Sequence, residues 1–356
     1  MNTNRFEKRI IITSEVLNKI TGIDRIKGQW MGGLKISPQI LGRLKTSVII
    51  TSSGSSTRIE GSKLSDEEVT RLLRGLKTNQ PKNRDEQEVA GDADLLGRIF
   101  DHYSNLKLTE NNILNFHSIL LGFSDKDSSH RGKYKTADNK VIIQNDIGQT
   151  SVLFEATKPY LVKPEMDDLM QWTEESFTSN TLHPLLLIAN FVFEFLAIHP
   201  FLDGNGRLSR SLTNLLLLRA GYSYVPYIAL DEIIEDTKNQ YYLALRETQK
   251  TYKTKNEDLS SWLNYLLDTL LTQGRKAIDL MENEKSEKLL SDNQRTVLGL
   301  FDEHVSLSVS EIDSLLQKEI PVPTLKQLLA KLSSLGLIDK IGQGRATRYQ
   351  KAIINK

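Results

Sequence analysis

The stretch HPFLDGNGRLSR, His199 to Arg210, holds the residues whose types and spacing best fit a chemical reaction. It combines a histidine that can act as a base, a carboxylate that can hold a metal, a glycine-rich turn and two arginines. Backbone N–H groups, a hard oxygen ligand and paired cations together suit the triphosphate of a nucleotide. A lone histidine at a helix end is more often structural, so the indication comes from the ordered combination.

The helix before this stretch positions His199, the candidate base. Residues 184–198, PLLLIANFVFEFLAI, form a strongly apolar helix that Pro200 must end, which leaves His199 at the helix exit. With a reference pKa near 6.5, His199 can be neutral and accept a proton from an attacking hydroxyl. The helix C-terminus favours the protonated ring, so we expect an opposing local influence. Asp203 can offer an oxygen ligand to a Mg²⁺ that bridges phosphates.

The element after the loop is a helix whose N-terminus can hold an anion. Gly204, Asn205 and Gly206 permit positive φ angles, so their N–H groups can converge. The helix that follows adds its own free N–H groups. Arg207 and Arg210 project from one face of its first turn. Positive charge there is unfavourable by itself, which makes sense if a polyanion shares the site.

The motif resembles the signature of a known family. It matches HPFx[D/E]GNGRxxR of the Fic family at every defined position, and the resemblance covers roughly residues 40–255. It implies AMP transfer from ATP to a Ser, Thr or Tyr hydroxyl of a target protein, and self-labelling. The roles implied at the matching positions are general base for His199, Mg²⁺ ligand for Asp203, phosphate cradle for Gly204, Asn205 and Gly206, phosphate contact for Arg207, γ-phosphate partner for Arg210, and buried loop anchor for Phe201.

The family also places a β-hairpin flap above its site. Residues 132–143, GKYKTADNKVII, resemble that flap, and Asp138-Asn139 is the turn that the sequence predicts. A target segment would dock there by adding backbone hydrogen bonds. The residues expected to take part are Lys140, Val141, Ile142 and Ile143. Many relatives carry arginine where Lys135 stands.

A further resemblance concerns the nucleotide base. NQYYLALRE resembles the helix beside the base in the family, so Tyr241 or Tyr242 is expected to line an adenine pocket. The alternative is a plain core position, because an aromatic residue on an amphipathic helix packs in the core more often than it contacts a ligand.

A second motif lies upstream. STRIEG, Ser56 to Gly61, fits the [S/T]xxxE[G/N] pattern of the inhibitory helix found in many Fic proteins. The resemblance implies that Glu60 pairs with Arg210 and takes the place of the γ-phosphate. The residues before it, TSSGSST, have poor helix propensity, which would leave this helix marginal and releasable. The alternative is that Glu60 is simply the last residue of a helix before a glycine cap.

Composition excludes several classes of protein. The 356 residues are 39% hydrophobic and 26% charged, with a net charge of +1, which argues against a chain that coats nucleic acid or membrane. The absence of cysteine excludes disulfides, thiolate zinc sites and cysteine nucleophiles. No signal-peptide core or membrane-spanning run is visible, so we expect a cytoplasmic protein without a membrane partner.

Helical periodicity dominates the chain, and the expected fold is mainly α: a Fic-fold helical bundle with a small β-hairpin flap and a C-terminal winged helix. The first predicted helix begins at Ser37-Pro38, and Ser37 is its expected N-cap. The expected domains are residues 1–105, including an inhibitory helix at about 38–61, then the catalytic core 106–282 and the winged helix 283–356.

The winged-helix prediction rests on three helices followed by two short strands joined at Gly342-Gln343-Gly344. Its expected core leucines are Leu325, Leu328, Leu329, Leu332 and Leu335. From residue 289 the chain carries nine basic and seven acidic residues, little for DNA binding. A DNA partner, a protein partner and a homodimer all stay open.

The leading function is therefore an autoinhibited protein adenylyltransferase that uses ATP and Mg²⁺. Removal of AMP by the same site, transfer of another phosphate-containing group, and a nucleotide-sensing DNA-binding regulator are the alternatives. The six histidines form no metal-binding pair, and His117 and His183 are expected to pack in or cap helices. Ser209 lies inside a helix without a nucleophile elbow, so a serine hydrolase is not supported.

Overall fold

The computed structural model describes residues 4–33, 36, 38–76, 80–144, 150–283, 290–334, 337–342, 344 and 347–351. The predicted cap Ser37 lies outside these residues. The α-helices are α1 Asn4–Lys8, α2 Ser14–Gly33, α3 Pro38–Ile59, α4 Asp66–Gly75, α5 Arg84–His102, α6 Glu110–Leu120, α7 Pro159–Ser179, α8 Pro184–Ile198, α9 Asn205–Arg219, α10 Leu230–Asp236, α11 Lys238–Gln249, α12 Ser260–Asn283, α13 Asp292–Glu303, α14 Val309–Leu315 and α15 Val322–Ser334. The strands are β1 Lys140–Gln144, β2 Thr150–Glu155, β3 Ile338–Ile341 and β4 Arg348–Lys351.

Contacts divide the chain into two compact units. One comprises residues 1–32 and 44–277, and the other comprises residues 33–43 and 278–356. The proposed boundaries at residues 105 and 282 stay a prediction. The mainly helical fold class is confirmed. No helix of the described residues is long and apolar enough to span a lipid bilayer.

Helices α8 and α9 form the centre of the first unit. Every residue of α8 from Leu185 to Ile198 is buried, as expected for a helix that is apolar on all sides. His183 caps its first turn by accepting a hydrogen bond from Leu185 N–H at Nδ1 (3.2 Å). α7 packs on α8, and α5 and α6 pack on α9. The loop between α8 and α9 is therefore held by two buried helices.

The β-hairpin differs from the prediction. β1 pairs antiparallel with β2, so residues 140–144 are its first strand and the connection falls after them. The prediction of a turn at Asp138-Asn139 was wrong, because Asn139 instead binds the backbone of Phe201 through its side chain (3.0 Å). The backbones of Lys140, Val141, Ile142 and Ile143 lie in β1, and their side chains lie outside the described part of the structure.

The second unit contains α13, α14 and α15 followed by the β3–β4 hairpin. Leu307 and Tyr349 exchange backbone hydrogen bonds of 2.8 and 2.7 Å, which ties the segment after α13 to β4. The core includes the predicted leucines 325, 329 and 332, and Leu328 packs against it half-buried. Leu335 and Gln343 lie outside the described residues. The order of elements is the predicted one, and assignment to the winged-helix class stays a prediction.

The close approach of α5 to the backbone of Leu120 supplies a stability test. A Cβ at Gly91 of α5 would lie 1.9 Å from the carbonyl oxygen of Leu120, whereas one at Gly97 would lie 3.8 Å from Ile49 Cδ1. We expect Gly91→Ala to lower the free energy of unfolding by about 1–3 kcal/mol through overpacking. The matched variant Gly97→Ala should be neutral or stabilise by up to about 1 kcal/mol. Urea unfolding measures both, and equal effects of the two variants would contradict this packing.

Candidate active site

The loop between α8 and α9 has a fixed backbone. His199 adopts the left-handed conformation (φ 52°) at the end of α8, and Gly204 adopts it (φ 76°) at the start of α9. The amide of Asn205 accepts from Phe201 N–H (2.9 Å) and donates to Phe201 O (2.8 Å), so the loop closes on itself. A buried side chain amide with both functions satisfied holds the turn rigid.

Phe201 anchors this loop, as the sequence predicts. It is fully buried, and its ring stacks on His117 with centroids 3.8 Å apart. His117 accepts from Gly132 N–H at Nδ1 (3.0 Å), so its Nε2 carries the proton and donates to Asp203 O (3.1 Å). Burial lowers the pKa of His117 to about 4, so it is a neutral structural residue. His117 therefore links Phe201 to the backbone of Asp203.

His199 is neutral in this environment. Burial lowers its pKa to about 4, and the charge of Lys135 lowers it further. These influences oppose the helix C-terminus, as the sequence analysis expected. Nδ1 lies 3.2 Å from Leu196 O, a carbonyl that can only accept. Nδ1 therefore carries the proton, and Nε2 is the nitrogen with a basic lone pair.

Lys135 contacts the backbone next to His199, a role that the sequence did not indicate. Its side chain is 3% exposed, and Nζ donates to Asn139 Oδ1 (2.7 Å) and Ile198 O (3.4 Å). Its backbone N–H donates to Pro200 O (2.9 Å). Burial lowers the pKa of Lys135 to about 8. Lys135 thus holds the chain on both sides of His199.

Asp203 lies among cations at the edge of the loop. It forms an ion pair with Arg84, contacts Arg207 at 3.4 Å and accepts from Gly204 N–H (2.6 Å). Burial by itself would raise the pKa of Asp203, but Arg207, Arg84 and the Gly204 N–H hold it below its usual range. No motif includes Arg84, which sequence reasoning missed.

The donor set decides whether Mg²⁺ fits. Among the described residues, no group of three or more His, Asp or Glu side chains could hold a metal ion by itself. Mg²⁺ bound with a nucleotide commonly takes one or two carboxylates and completes its shell with phosphate oxygens and water. The side chain of Asp203 is 41% exposed, so a single accessible carboxylate fits that manner of binding.

The arginines of α9 are buried with unused hydrogen-bonding capacity. Arg207 is 1% exposed and Arg210 is 2% exposed. Within the described part of the chain, Nε and Nη1 of Arg207 and Nη1 of Arg210 have no hydrogen-bond acceptor. Buried donors are nearly always satisfied in proteins, so these atoms fit an anionic ligand.

Glu60 lies against the glycine turn and Arg210. Its Oε1 is 3.0 Å from Arg210 Nη2, and a Cβ at Gly206 would lie 2.0 Å from the same oxygen. Arg210 also donates to Ser56 through Nε to Oγ (3.0 Å) and through Nη2 to the carbonyl (2.8 Å). Asp231, a residue that sequence reasoning missed, lies 3.3 Å from Arg210 Nε. Gly61 follows with φ 110° and ends the helix.

The two tyrosines of α11 differ. Tyr241 is buried in an aromatic cluster with Tyr242, Trp262 and Tyr265, at centroid distances of 5.2–5.8 Å. Tyr242 is half-buried and donates its hydroxyl to Ile59 O (3.2 Å). The core alternative describes Tyr241 well, and the adenine pocket stays a prediction.

Comparison with known proteins identifies the fold of the first unit and the family whose sequence profile its core matches. The sequence profile of the Fic/DOC family matches residues 107–217. A Fic family protein from Desulfovibrio desulfuricans has the same fold, with a TM-score of 0.64 at 22% identity over 98% of this chain and 99% of that one. A Fic domain containing signaling protein from Bacteroides thetaiotaomicron gives 0.61 at 24% identity over 74% and 99%. The fold is thus the Fic fold.

Curated proteins with similar sequences carry the same family name. Protein adenylyltransferase Fic of Drosophila virilis is 27% identical over 219 residues, 58% of this chain and 38% of that protein. Protein adenylyltransferase fic-1 of Caenorhabditis elegans is 26% identical over 195 residues, 51% of this chain and 35% of that protein. The match to the Fic/DOC family profile is confined to residues 107–217. The chain spans little more than a third of the length of these two relatives.

The influence of Lys135 on His199 can be measured without any substrate. In Lys135→Met the pKa of His199 should rise above about 4, because the charge that disfavours the imidazolium is gone, and it should stay low because the ring remains buried. Lys133→Met is the matched control, since Lys133 is exposed. NMR titration of labelled histidine rings reports the value, and an unchanged pKa in Lys135→Met would contradict the assignment.

Proposed function

We propose that this chain is an autoinhibited protein adenylyltransferase that transfers AMP from ATP to a Ser, Thr or Tyr hydroxyl of a target protein and of itself. The observation that carries the proposal is the Glu60–Arg210 pair over Gly206, next to the loop that holds His199 and Asp203. The curated relatives from Drosophila virilis and Caenorhabditis elegans are named protein adenylyltransferases, which supports the same activity.

In the proposed reaction the hydroxyl oxygen attacks the α-phosphorus of ATP. A new phosphorus–oxygen bond forms while the bond from the α-phosphorus to the oxygen bridging to the β-phosphate breaks, and pyrophosphate leaves. The hydroxyl proton passes to Nε2 of His199, which is basic because Nδ1 donates to Leu196 O. Negative phosphates nearby raise the pKa of His199 from about 4 toward the range useful to a base.

The phosphates would take the N-terminus of α9. Gly204, Asn205 and Gly206 supply N–H groups, and Arg207 and Arg210 supply the unused guanidinium donors. Asp203 would hold Mg²⁺ together with phosphate oxygens, and the ion would neutralise part of their charge.

Autoinhibition follows from competition for one cation. Arg210 is the proposed partner of the γ-phosphate, and Glu60 already binds it at 3.0 Å. A γ-phosphate placed on Arg210 at the position of Glu60 would be strongly repelled by the Glu60 carboxylate. ATP would therefore bind with its phosphates displaced until Glu60 moves away.

We also propose roles for the β1–β2 hairpin and for the α13–β4 unit. The β1–β2 hairpin would receive the target as an added strand, since its backbone forms a two-stranded sheet. The α13–β4 unit would be a winged helix that recruits a protein partner, because its small charge offers little to DNA. We also propose a cytoplasmic location, since the chain has no cysteine to oxidise.

Labelling with ATP that is radioactive at the α-phosphate tests the activity and its inhibition together. We expect Glu60→Gly to raise self-labelling roughly ten- to hundredfold, because a hydrogen bond to a charged group contributes about 1.5–3 kcal/mol. Glu60→Gly with His199→Ala should show no label above background.

Three other outcomes are informative in this assay. Equal labelling of wild type and Glu60→Gly would remove autoinhibition. Persistent label in the double variant would remove His199 as the base. No label in any variant, with a cell extract supplied as target, would contradict the proposed transferase activity.

A further inference from the structure

Helix α10 contacts Arg210 and the last turn of α3, which precedes Glu60. Asp231 lies 3.3 Å from Arg210 Nε. One turn later, Glu235 receives two hydrogen bonds from Arg58, from Nε (2.6 Å) and Nη2 (2.9 Å). Residues four apart share one face of a helix, so α10 presents both carboxylates to the site from the same side.

Arg58 connects Glu235 of α10 to the proposed inhibitory residue Glu60, which follows Arg58 by two residues. Its Nη1 also donates to Leu64 O (3.1 Å) and pairs with Asp66 (3.0 Å). The Arg58 side chain is 21% exposed and that of Glu235 is 27% exposed, so water weakens their pair only partly. A two-point guanidinium–carboxylate contact fixes direction as well as distance. The last turn of α3 is therefore held in one orientation.

Helix α11 supports the same turn. Tyr242 donates to Ile59 O (3.2 Å), and Lys238 Nζ donates to Arg58 O (3.4 Å). The last carbonyls of a helix have no partner within it, so these bonds satisfy groups that water would otherwise take. Both donors come from the segment directly after α10.

The buried face of α3 before this turn offers little apolar contact. Between residues 52 and 57, five almost fully buried positions carry hydroxyl side chains: Ser52, Ser53, Ser55, Ser56 and Thr57. Burial of hydroxyl groups gives far less stabilisation than burial of hydrocarbon. Apart from Ile59, which is 1% exposed, the contacts at the end of the helix that position Glu60 are therefore mainly polar.

We propose that Arg58 and Glu235 form a latch that positions Glu60, and that movement of α10 away from α3 activates the enzyme. Neither residue touches the reacting atoms; they act through the orientation of Glu60. A displacement of α10 would remove the Glu235 contact and the Asp231 contact together, and so would loosen Glu60 and Arg210 in one step. This inference rests on the proposed function, since it names how that site is regulated.

Glu235→Ala is the direct test of the latch. We expect it to raise self-labelling by roughly tenfold, which corresponds to about 1.4 kcal/mol. Glu232→Ala is the matched control, because Glu232 lies on the same helix and pairs with Lys276 (3.2 Å) away from α3. In the Glu60→Gly background, Glu235→Ala should add nothing, because the residue that the latch positions is already gone.

The combined variants separate a latch from general damage to the fold. A rise of similar size in Glu232→Ala, or an equal rise in the Glu60→Gly background, would overturn the latch. If Glu60→Gly is active while Glu235→Ala behaves as wild type, the latch fails and the proposed activity stands.

A second measurement does not depend on activity. Hydrogen exchange of peptides covering residues 52–62 should accelerate in Glu235→Ala and stay at the wild-type rate in Glu232→Ala. Faster exchange without labelling in any variant would keep the latch and remove the transferase. Unchanged exchange in Glu235→Ala would overturn the latch even if the transferase is active.

Discussion

The structure depends on one buried guanidinium. Arg210 is 2% exposed in the second turn of α9, near a helix N-terminus that is itself positive. A guanidinium remains charged at any physiological pH, so its burial requires anions close by. Glu60 and Asp231 supply them within 3.3 Å. The same requirement suits the phosphates of a nucleotide, and in the proposed function it links inhibition to substrate binding.

The loop before α9 presents the other groups because it has almost no freedom. Asn205 closes it through two hydrogen bonds, and Phe201 fastens it against His117. His199 is then fixed by the end of α8 on one side and, on the other, by the backbone N–H of Lys135, which donates to Pro200 O. Burial costs these polar groups solvation, and the neutral state of His199 and the lowered pKa of Lys135 are its consequences.

The sequence located the elements of the candidate site, but it missed residues that reach the site from distant segments, one helix and the position of one turn. The loop from His199 to Arg210 and the helix that ends at Ile59 were located because both motifs place residue types at a fixed spacing, and the roles of these residues stay predictions. Arg84 and Asp231 were missed because they reach the loop from distant segments and belong to no pattern. Helix α2 was also missed, although Val16, Ile20, Ile23, Ile26 and Trp30 repeat at helical spacing, because glycines interrupt the segment. The hairpin turn was misplaced because Asp-Asn favours turns in general, whereas here Asn139 serves the loop.

The central claim is that Glu60 occupies the place of the γ-phosphate on Arg210, and nucleotide selectivity tests it most directly. Calorimetric titration of ATP and of ADP, with Mg²⁺, into wild type and Glu60→Gly would give four affinities. The account predicts that Glu60→Gly binds ATP more tightly while its affinity for ADP stays the same, since only ATP carries the competing phosphate. Equal changes for both nucleotides, or none for ATP, would contradict it.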